Sequence, residues 1–109
     1  MMGKENIIMD KAFRFAVRIV NLHKVLYQRK ELVLSQQLLR SGTSIGALVK
    51  ESEHAQSTAD FIHKLSIALK EANETDYWLN LLKDSDYIAN NSFDSIDSDC
   101  GELIALLIS

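Results

Sequence analysis

The chain has 109 residues, 47% of them hydrophobic, which suits one folded domain and argues against global disorder. It has no proline, four glycines and one cysteine, a composition that favours long helices over many short strands and excludes an internal disulfide. The net charge of −3 is unevenly spread: residues 1–50 hold nine Lys and Arg against three Asp and Glu, and residues 51–109 hold three against twelve.

The first predicted helix spans about residues 10–29. Its main apolar stripe repeats at steps of three and four residues, the spacing of one helix face. Asp10 is the predicted N-cap, because its carboxylate can accept hydrogen bonds from the free amides at a helix start. A second apolar stripe lies beside the first, so the apolar sector is wide. The main stripe comprises Ala12, Phe15, Ile19, Leu22 and Leu26, and the second comprises Phe13, Val17, Val20 and Tyr27.

The second predicted helix, residues 33–55, carries Gly42 and Gly46 in its middle. Each glycine costs a helix up to about 1 kcal/mol relative to alanine. The two glycines lie four residues apart and share a helix face, where the missing side chains let a bulky residue or another backbone come close. We predict that Trp78, with an apolar neighbour on the third helix, covers part of this surface.

The same stretch, "SQQLLRSGTSIGALVKE", also permits interpretation as a helix-turn-helix with its turn at Gly42. Residues 43–51 would then form the recognition segment. They contain one basic residue, Lys50, and no Arg, Asn or Gln to contact base edges. A DNA-binding regulator of this class is therefore the alternative hypothesis, behind a helix bundle.

The third predicted helix spans residues 57–84 and the fourth spans residues 92–108. Ser57 is the predicted N-cap of the third helix, with Asp60 at the third helical position in an arrangement like a capping box. Short connections make sequential helices antiparallel. We therefore predict an all-α fold, in which residues 1–109 form one antiparallel up-and-down four-helix bundle.

Two carboxylates of the third helix, Glu71 and Glu74, lie in a helical row with Ile67 before them and Trp78 after them. A carboxylate among apolar neighbours needs a partner, because burying an unpaired charge is costly. We predict that Arg40 supplies a charge-assisted hydrogen bond to one of them, in the same subunit or the next.

Lys11, Arg14 and Arg18 form a basic row at helical spacing on the first helix. Repeated around an oligomer, this row would form a positive collar, which makes it the best candidate for contacts with nucleic-acid phosphates. An ordinary solvated helix face is the preferred interpretation of the row. The acidic total charge also weakens long-range attraction to phosphate.

The sequence gives little sign of catalysis or of a cofactor. Only one Glu-x-x-His pair exists, Glu51 and His54, whereas a di-iron bundle needs two such pairs and two further Glu residues. No nucleophile–base arrangement is visible, and Cys100 lies on a predicted apolar stripe, where packing is favoured over reactivity. We expect no enzyme activity, no metal and no small-molecule substrate. The N-terminal segment is too short and polar for a signal peptide, and no run reaches the roughly 20 apolar residues of a membrane span, so we expect a soluble cytoplasmic protein.

Much of the chain resembles the small four-helix-bundle proteins that were first noticed as products of intervening sequences in bacterial large-subunit ribosomal RNA genes. The resemblance rests on "RSGTSIGA" (40–47), on Glu51, on "DFIHKLSIALKEANET" (60–75) and on "YWL" (77–79). The chain departs from this family at Leu48, where relatives usually carry Asn.

The resemblance implies a left-handed antiparallel bundle that assembles into a ring, typically a homopentamer, without known enzymatic activity. A related branch contains the accessory proteins of diversity-generating retroelements, in which a similar pentamer assists a reverse transcriptase and contacts nucleic acid. The resulting hypothesis is a non-enzymatic, homo-oligomeric scaffold or binding module. Its expected partners are further copies of itself, and RNA or a nucleic-acid-processing protein.

Overall fold

The computed structural model describes residues 3–109 and contains four long α-helices. These are α1 (Lys4–Gln28), α2 (Val33–Ser52), α3 (Thr58–Asp84) and α4 (Asn90–Ile108). No strand occurs within the described residues. The all-α fold expected from the hydrophobic spacing is confirmed.

Three of the predicted helix ends differ from the structure. α1 begins at Lys4, so Asp10 lies inside the helix and the prediction that it is the N-cap is wrong. The Asp10 carboxylate instead pairs with Arg14 one turn later, at 3.0 Å. α2 ends at Ser52, before the predicted residue 55, and α4 begins at Asn90, two residues early. The start of α3 is as predicted, because the Ser57 hydroxyl accepts a hydrogen bond from the Asp60 amide at 3.0 Å.

Contacts between the helices show that every neighbouring pair is antiparallel. Gly42 lies against Ile19 and Gly46 lies against Ala12, so the residue number rises in α2 as it falls in α1. The helices approach one another as α1–α2, α2–α3, α3–α4 and α1–α4, which places α1 diagonal to α3 and α2 diagonal to α4. The contacts of the other helix pairs fit the same antiparallel order: Ser41 with Thr75, Glu51 with Lys64, Ala72 with Cys100, Lys11 with Glu102 and Arg18 with Asp99. The left-handed twist of the bundle stays a prediction.

The bundle therefore has two different ends. We call the end where α1 begins and α4 finishes the N-terminal end; it also holds the α2–α3 connection. We call the other end the two-turn end, because the α1–α2 and α3–α4 connections lie there, joined by a hydrogen bond from the Arg29 guanidinium to the Tyr87 carbonyl at 3.0 Å.

The main core runs along the bundle and is built from the predicted apolar stripes. A smaller cluster at the N-terminal end contains Ile8, Val49 and Ala68, with Leu48 packed against it. The half-buried Leu48 therefore extends the core at this end. The most deeply buried side chains of the main core include Phe15, Ile19, Leu26, Leu38, Ile45, Leu79, Leu82, Cys100 and Leu103.

The small residues of α2 let both neighbouring helices come close. A Cβ atom added at Gly42 would lie 2.8 Å from Cγ1 of Ile19, and one added at Gly46 would lie 3.5 Å from the carbonyl oxygen of Ala12. On the other side of α2, the buried Ser41 hydroxyl accepts a hydrogen bond from Thr75 at 3.0 Å. The atoms nearest to both glycines belong to α1, so α1 is the helix that approaches them most closely, and the covering of the small-residue surface by Trp78 stays a prediction.

α2 continues without a break through Gly42. No residue between Val33 and Ser52 has a positive φ angle, so the backbone makes no turn there. A helix-turn-helix requires a turn at this position. The structure therefore contradicts the alternative interpretation as a DNA-binding motif of that class.

Two helices end in the same way, with one residue in the left-handed conformation. Lys30 follows α1 and Asp86 follows α3, each with φ of 67°. In each case the next amide donates back to the helix, as in a Schellman motif. Glu31 then caps α2, because its carboxylate accepts from the amides of Leu34 and Ser35 at 3.1 and 2.7 Å.

Candidate functional site

The outer side of α1 and α2 carries an apolar groove of about 790 Å³ near the N-terminal end of the bundle. The side chain that dominates it is Phe13, which is 70% exposed. The groove is also lined by small residues of both helices, Ala16, Gly46 and Ala47. We call this surface the α1/α2 groove. It exists because the two helices approach closely along the small-residue flank of α2.

The second apolar stripe of α1 lies largely outside the core. Phe13, Val17 and Tyr27 are exposed, and Val20 is half-buried. The main stripe alone fills the bundle interior, so these side chains have no apolar partner helix within the subunit. Isolated exposed apolar residues are common, but a row of them beside an apolar groove is a candidate interaction surface.

A second apolar groove, of about 340 Å³, lies where α3 begins and α4 finishes. Its α3 residues include Ile62, which is 58% exposed, and the half-buried Leu65 and Leu69. α4 contributes Leu106 and Ile108. We call this surface the α3/α4 groove. The first turn of α1 forms part of its rim, with Lys4 and Glu5.

The three residues of the predicted basic row each contact a carboxylate within the subunit. Lys11 pairs with Glu102 and Arg18 pairs with Asp99, both on α4. Arg18 also donates to the Ser95 hydroxyl, at 3.0 Å. Arg14 pairs with Asp10 on its own helix, and its side chain remains 78% exposed. Lys11 and Arg18 therefore bind α1 to α4, and Arg14 is the member of the row most accessible to another molecule.

The structure brings Arg40, Glu71, Glu74 and Trp78 together on the outer side of α2 and α3. The Arg40 guanidinium lies 3.1 Å from Oε2 of Glu71 and also donates to Glu74. The Trp78 indole donates to Glu74 at 3.0 Å. That hydrogen bond, and then the one from Arg40, lowers the pKa of Glu74, against the opposing effect of burial. Both carboxylates proposed for Arg40 are thus its partners, and the cluster ties α2 to α3.

A second carboxylate cluster, on the outer side of α3 and α4, gave no sign in the sequence. Asp76 and Asp97 lie on facing helices, and the Oδ1 atom of Asp97 is buried without a hydrogen-bond partner. Burial, followed by the nearby Asp76 carboxylate, raises the pKa of Asp97 to about 7. The two residues are 21 positions apart, and only the packing of α3 on α4 brings them together.

The cysteine of this chain lies in the core and not on the surfaces described above. Cys100 is buried, and its thiol donates a hydrogen bond to the Ala72 carbonyl at 3.4 Å. Burial raises the pKa of its thiol to about 12, so the nucleophilic thiolate is disfavoured. Within residues 3–109, no three His, Cys, Asp or Glu side chains are placed to hold a metal ion. None of the helices described is long and apolar enough to cross a membrane.

Comparisons with known proteins place this fold in a family. Residues 4–109 match the family model described as 23S rRNA-intervening sequence protein. A solved structure from Bacteroides thetaiotaomicron, a protein of unknown function from the S23 ribosomal protein family, is 58% identical in sequence. The alignment covers 97% of this chain and 96% of that chain, with a TM-score of 0.95. A search of curated proteins gives no match.

Proposed function

We propose that this chain, which belongs to the family of 23S rRNA-intervening sequence proteins, acts as a non-enzymatic homo-oligomeric scaffold or binding module, with a ring of five subunits as its expected form. The observation that carries this proposal is the second apolar stripe of α1, with Phe13 70% exposed beside the α1/α2 groove. Fully burying one such side chain stabilises an association by about 1.5–3 kcal/mol. A partner subunit that covers the groove would bury several of them together.

The proposal predicts that one substitution in the α1/α2 groove reduces the molar mass in solution. Phe13→Ser removes the aromatic side chain from the groove and leaves the core intact, since Phe13 is exposed to solvent. Tyr77→Ser is the matched control, because Tyr77 is 60% exposed on the outer side of α3, away from both grooves.

Light scattering coupled to size exclusion measures the outcome. The wild type and Tyr77→Ser are expected at the same multiple of the 12.3 kDa chain mass, and Phe13→Ser at a lower mass. Circular dichroism verifies that all three variants remain helical. A wild-type protein that elutes as a monomer at all concentrations would contradict the proposal.

Association with RNA is the second part of the proposal, and the basic row of α1 supports it through Arg14. In the free protein the exposed Arg14 guanidinium lies 3.0 Å from the Asp10 carboxylate. An RNA phosphate would replace that carboxylate as its partner. Lys11 and Arg18 are already paired with α4 carboxylates, so they would contribute only by giving up those contacts. Binding through this row is therefore expected to be weak and to fall as salt concentration rises.

The RNA proposal is tested by the salt dependence of binding to a short RNA. The triple variant Lys11→Glu/Arg14→Glu/Arg18→Glu should abolish RNA binding. Arg14→Gln alone should reduce the affinity and should make its dependence on salt concentration shallower, by the amount expected for roughly one phosphate contact. Lys70→Gln, an exposed cation on α3, is the control for loss of one charge. Equal affinities of all the variants and the wild type would show that the row does not bind RNA.

A further inference from the structure

We infer that the side of the bundle between α1 and α4 binds single-stranded RNA, with phosphates on exposed arginines of α1 and an unstacked base in a groove between the two helices. The inference rests on the RNA part of the proposed function and names the form of RNA that this side takes. It is drawn from a groove with an uncharged polar and apolar lining that lies between two exposed guanidinium groups.

A groove of about 470 Å³ lies between α1 and α4 toward the two-turn end of the bundle. We call it the α1/α4 groove. It lies where short side chains face each other across the two helices, with Asn21 on α1 and Ser92 and Ser95 on α4. Closer to the N-terminal end, the longer side chains of Arg18 and Asp99 bridge the same two helices. Self-association through the α1/α2 groove would leave this side of the bundle open.

The basic row of α1 continues past this groove to the end of the helix. Arg14 lies before the groove, and the exposed Arg29 lies fifteen residues later on the same side of α1, about 22 Å along the helix axis. The Arg29 guanidinium donates to the Tyr87 carbonyl at 3.0 Å and has no carboxylate within salt-bridge distance among residues 3–109. Its other N–H groups can therefore bind a phosphate. The extended row, at steps of three and four residues, comprises Lys11, Arg14, Arg18, Asn21, Val25 and Arg29.

The lining of the α1/α4 groove suits a nucleobase. Asn21 and Asn91 carry amides that both donate and accept hydrogen bonds, as the edges of bases require. Leu22 and Val25 offer apolar surface to the flat face of a base, and Val25 is 44% exposed. None of the lining residues carries a carboxylate, so the lining itself does not repel a phosphate chain.

This arrangement favours a single strand over a duplex. In duplex RNA the bases are paired and stacked, and proteins recognise mainly its shape and its backbone. A recess between two helices admits a base only when that base is unstacked, as bases are in loops and single strands. A mononucleotide does not fit the arrangement either, because Arg14 and Arg29 are about 22 Å apart along α1 and only a strand with several phosphates reaches both.

Binding of a short labelled RNA without self-complementarity tests the inference, with the same RNA annealed to its complement as the second probe. The wild-type protein should bind the single strand about tenfold more tightly than the duplex, since one good base contact contributes about that much. Asn21→Leu and Asn91→Leu should each weaken binding of the single strand about tenfold and leave its salt dependence unchanged, because base contacts release no counterions. Asn73→Leu, which removes an exposed amide of α3, is the matched control, and circular dichroism verifies that all variants are helical.

Arg29→Gln tests the phosphate contact beyond the groove. It should weaken binding of the single strand and make the dependence on salt concentration shallower, by the amount expected for roughly one phosphate contact. Lys70→Gln, which removes an exposed cation of α3, should leave both quantities unchanged.

The outcomes separate this inference from the proposed function. A wild-type protein that binds neither probe would overturn the inference and the RNA part of the proposed function together. RNA binding that the triple variant of the basic row abolishes, with wild-type affinity in Asn21→Leu, Asn91→Leu and Arg29→Gln, would overturn only the inference, and so would equal affinity for the single strand and the duplex. If a polyglutamate peptide binds as tightly as the RNA and loses affinity in the same variants, the groove belongs to an acidic peptide and the inference is wrong.

Discussion

The glycines of α2 and α4 allow a stability prediction whose sign depends on the space around each Cα. Gly42→Ala introduces a methyl group 2.8 and 2.9 Å from the Cγ atoms of Ile19, closer than carbon atoms pack. Ile19 is fully buried and its branched side chain has little rotamer freedom, so it cannot move away easily. Overpacking of this kind costs about 1–3 kcal/mol, while replacing a helical glycine by alanine gains up to about 1 kcal/mol. We therefore expect Gly42→Ala to lower the free energy of unfolding by about 1–2 kcal/mol.

The same substitution at two other glycines provides matched controls. At Gly46 the new methyl group would lie 3.5–3.7 Å from atoms of Ala12, which is ordinary van der Waals contact, and at Gly101 it would meet nothing within 4 Å. Both Gly46→Ala and Gly101→Ala should stabilise the protein by about 0.5–1 kcal/mol through helix propensity.

Urea denaturation followed by circular dichroism measures all three variants, at one fixed protomer concentration because association contributes to apparent stability. The reasoning about the α1–α2 approach is refuted if Gly42→Ala is as stable as Gly46→Ala.

Three further predictions concern the helix ends and the α3/α4 side. Lys30→Gly should stabilise the protein by about 0.5–1 kcal/mol, because glycine adopts the positive φ of 67° without strain; a lower thermal midpoint would contradict this. Glu31→Ala should lower the free energy of unfolding by about 1 kcal/mol, because α2 loses its N-terminal cap. An unchanged free energy of unfolding in urea would contradict this. Asp97 has a folded-state pKa of about 7 against 3.8 in the unfolded chain, so the folded state binds the extra proton and stability should fall as pH rises from about 4 to 7. Asp97→Asn should flatten that decline, and a variant with the wild-type pH profile would show that Asp97 is not the group that causes it.

Local sequence patterns predicted the helices and the core well, because those features depend on spacing within one segment. The apolar stripe of α1 predicts a buried face, and Phe15 and Ile19 are fully buried. The Ser57 cap depends on residues three apart, and it forms as expected. The early start of α1 also has a local signal, since Ile8 lies four residues before Ala12 and continues the same stripe into the core.

Features that depend on which helices face each other were not accessible in this way. The pattern marks Gly42 and Gly46 as a surface for close approach, but it does not say whether α1 or α3 approaches. The pairing of Asp76 with Asp97 likewise requires the packing of α3 on α4. The second stripe of α1 shows a wide apolar sector, and only the structure shows that Phe13 lies on the solvent side of it.

Sedimentation equilibrium of the wild-type chain tests the central claim most directly, because it reports the molar mass in solution without reference to shape. Self-association through the α1/α2 groove predicts one species at a whole-number multiple of 12.3 kDa, with five subunits as the expected number. A single species at 12.3 kDa across the concentration range would contradict the account, since the exposed apolar stripe of α1 would then remain uncovered in the native protein.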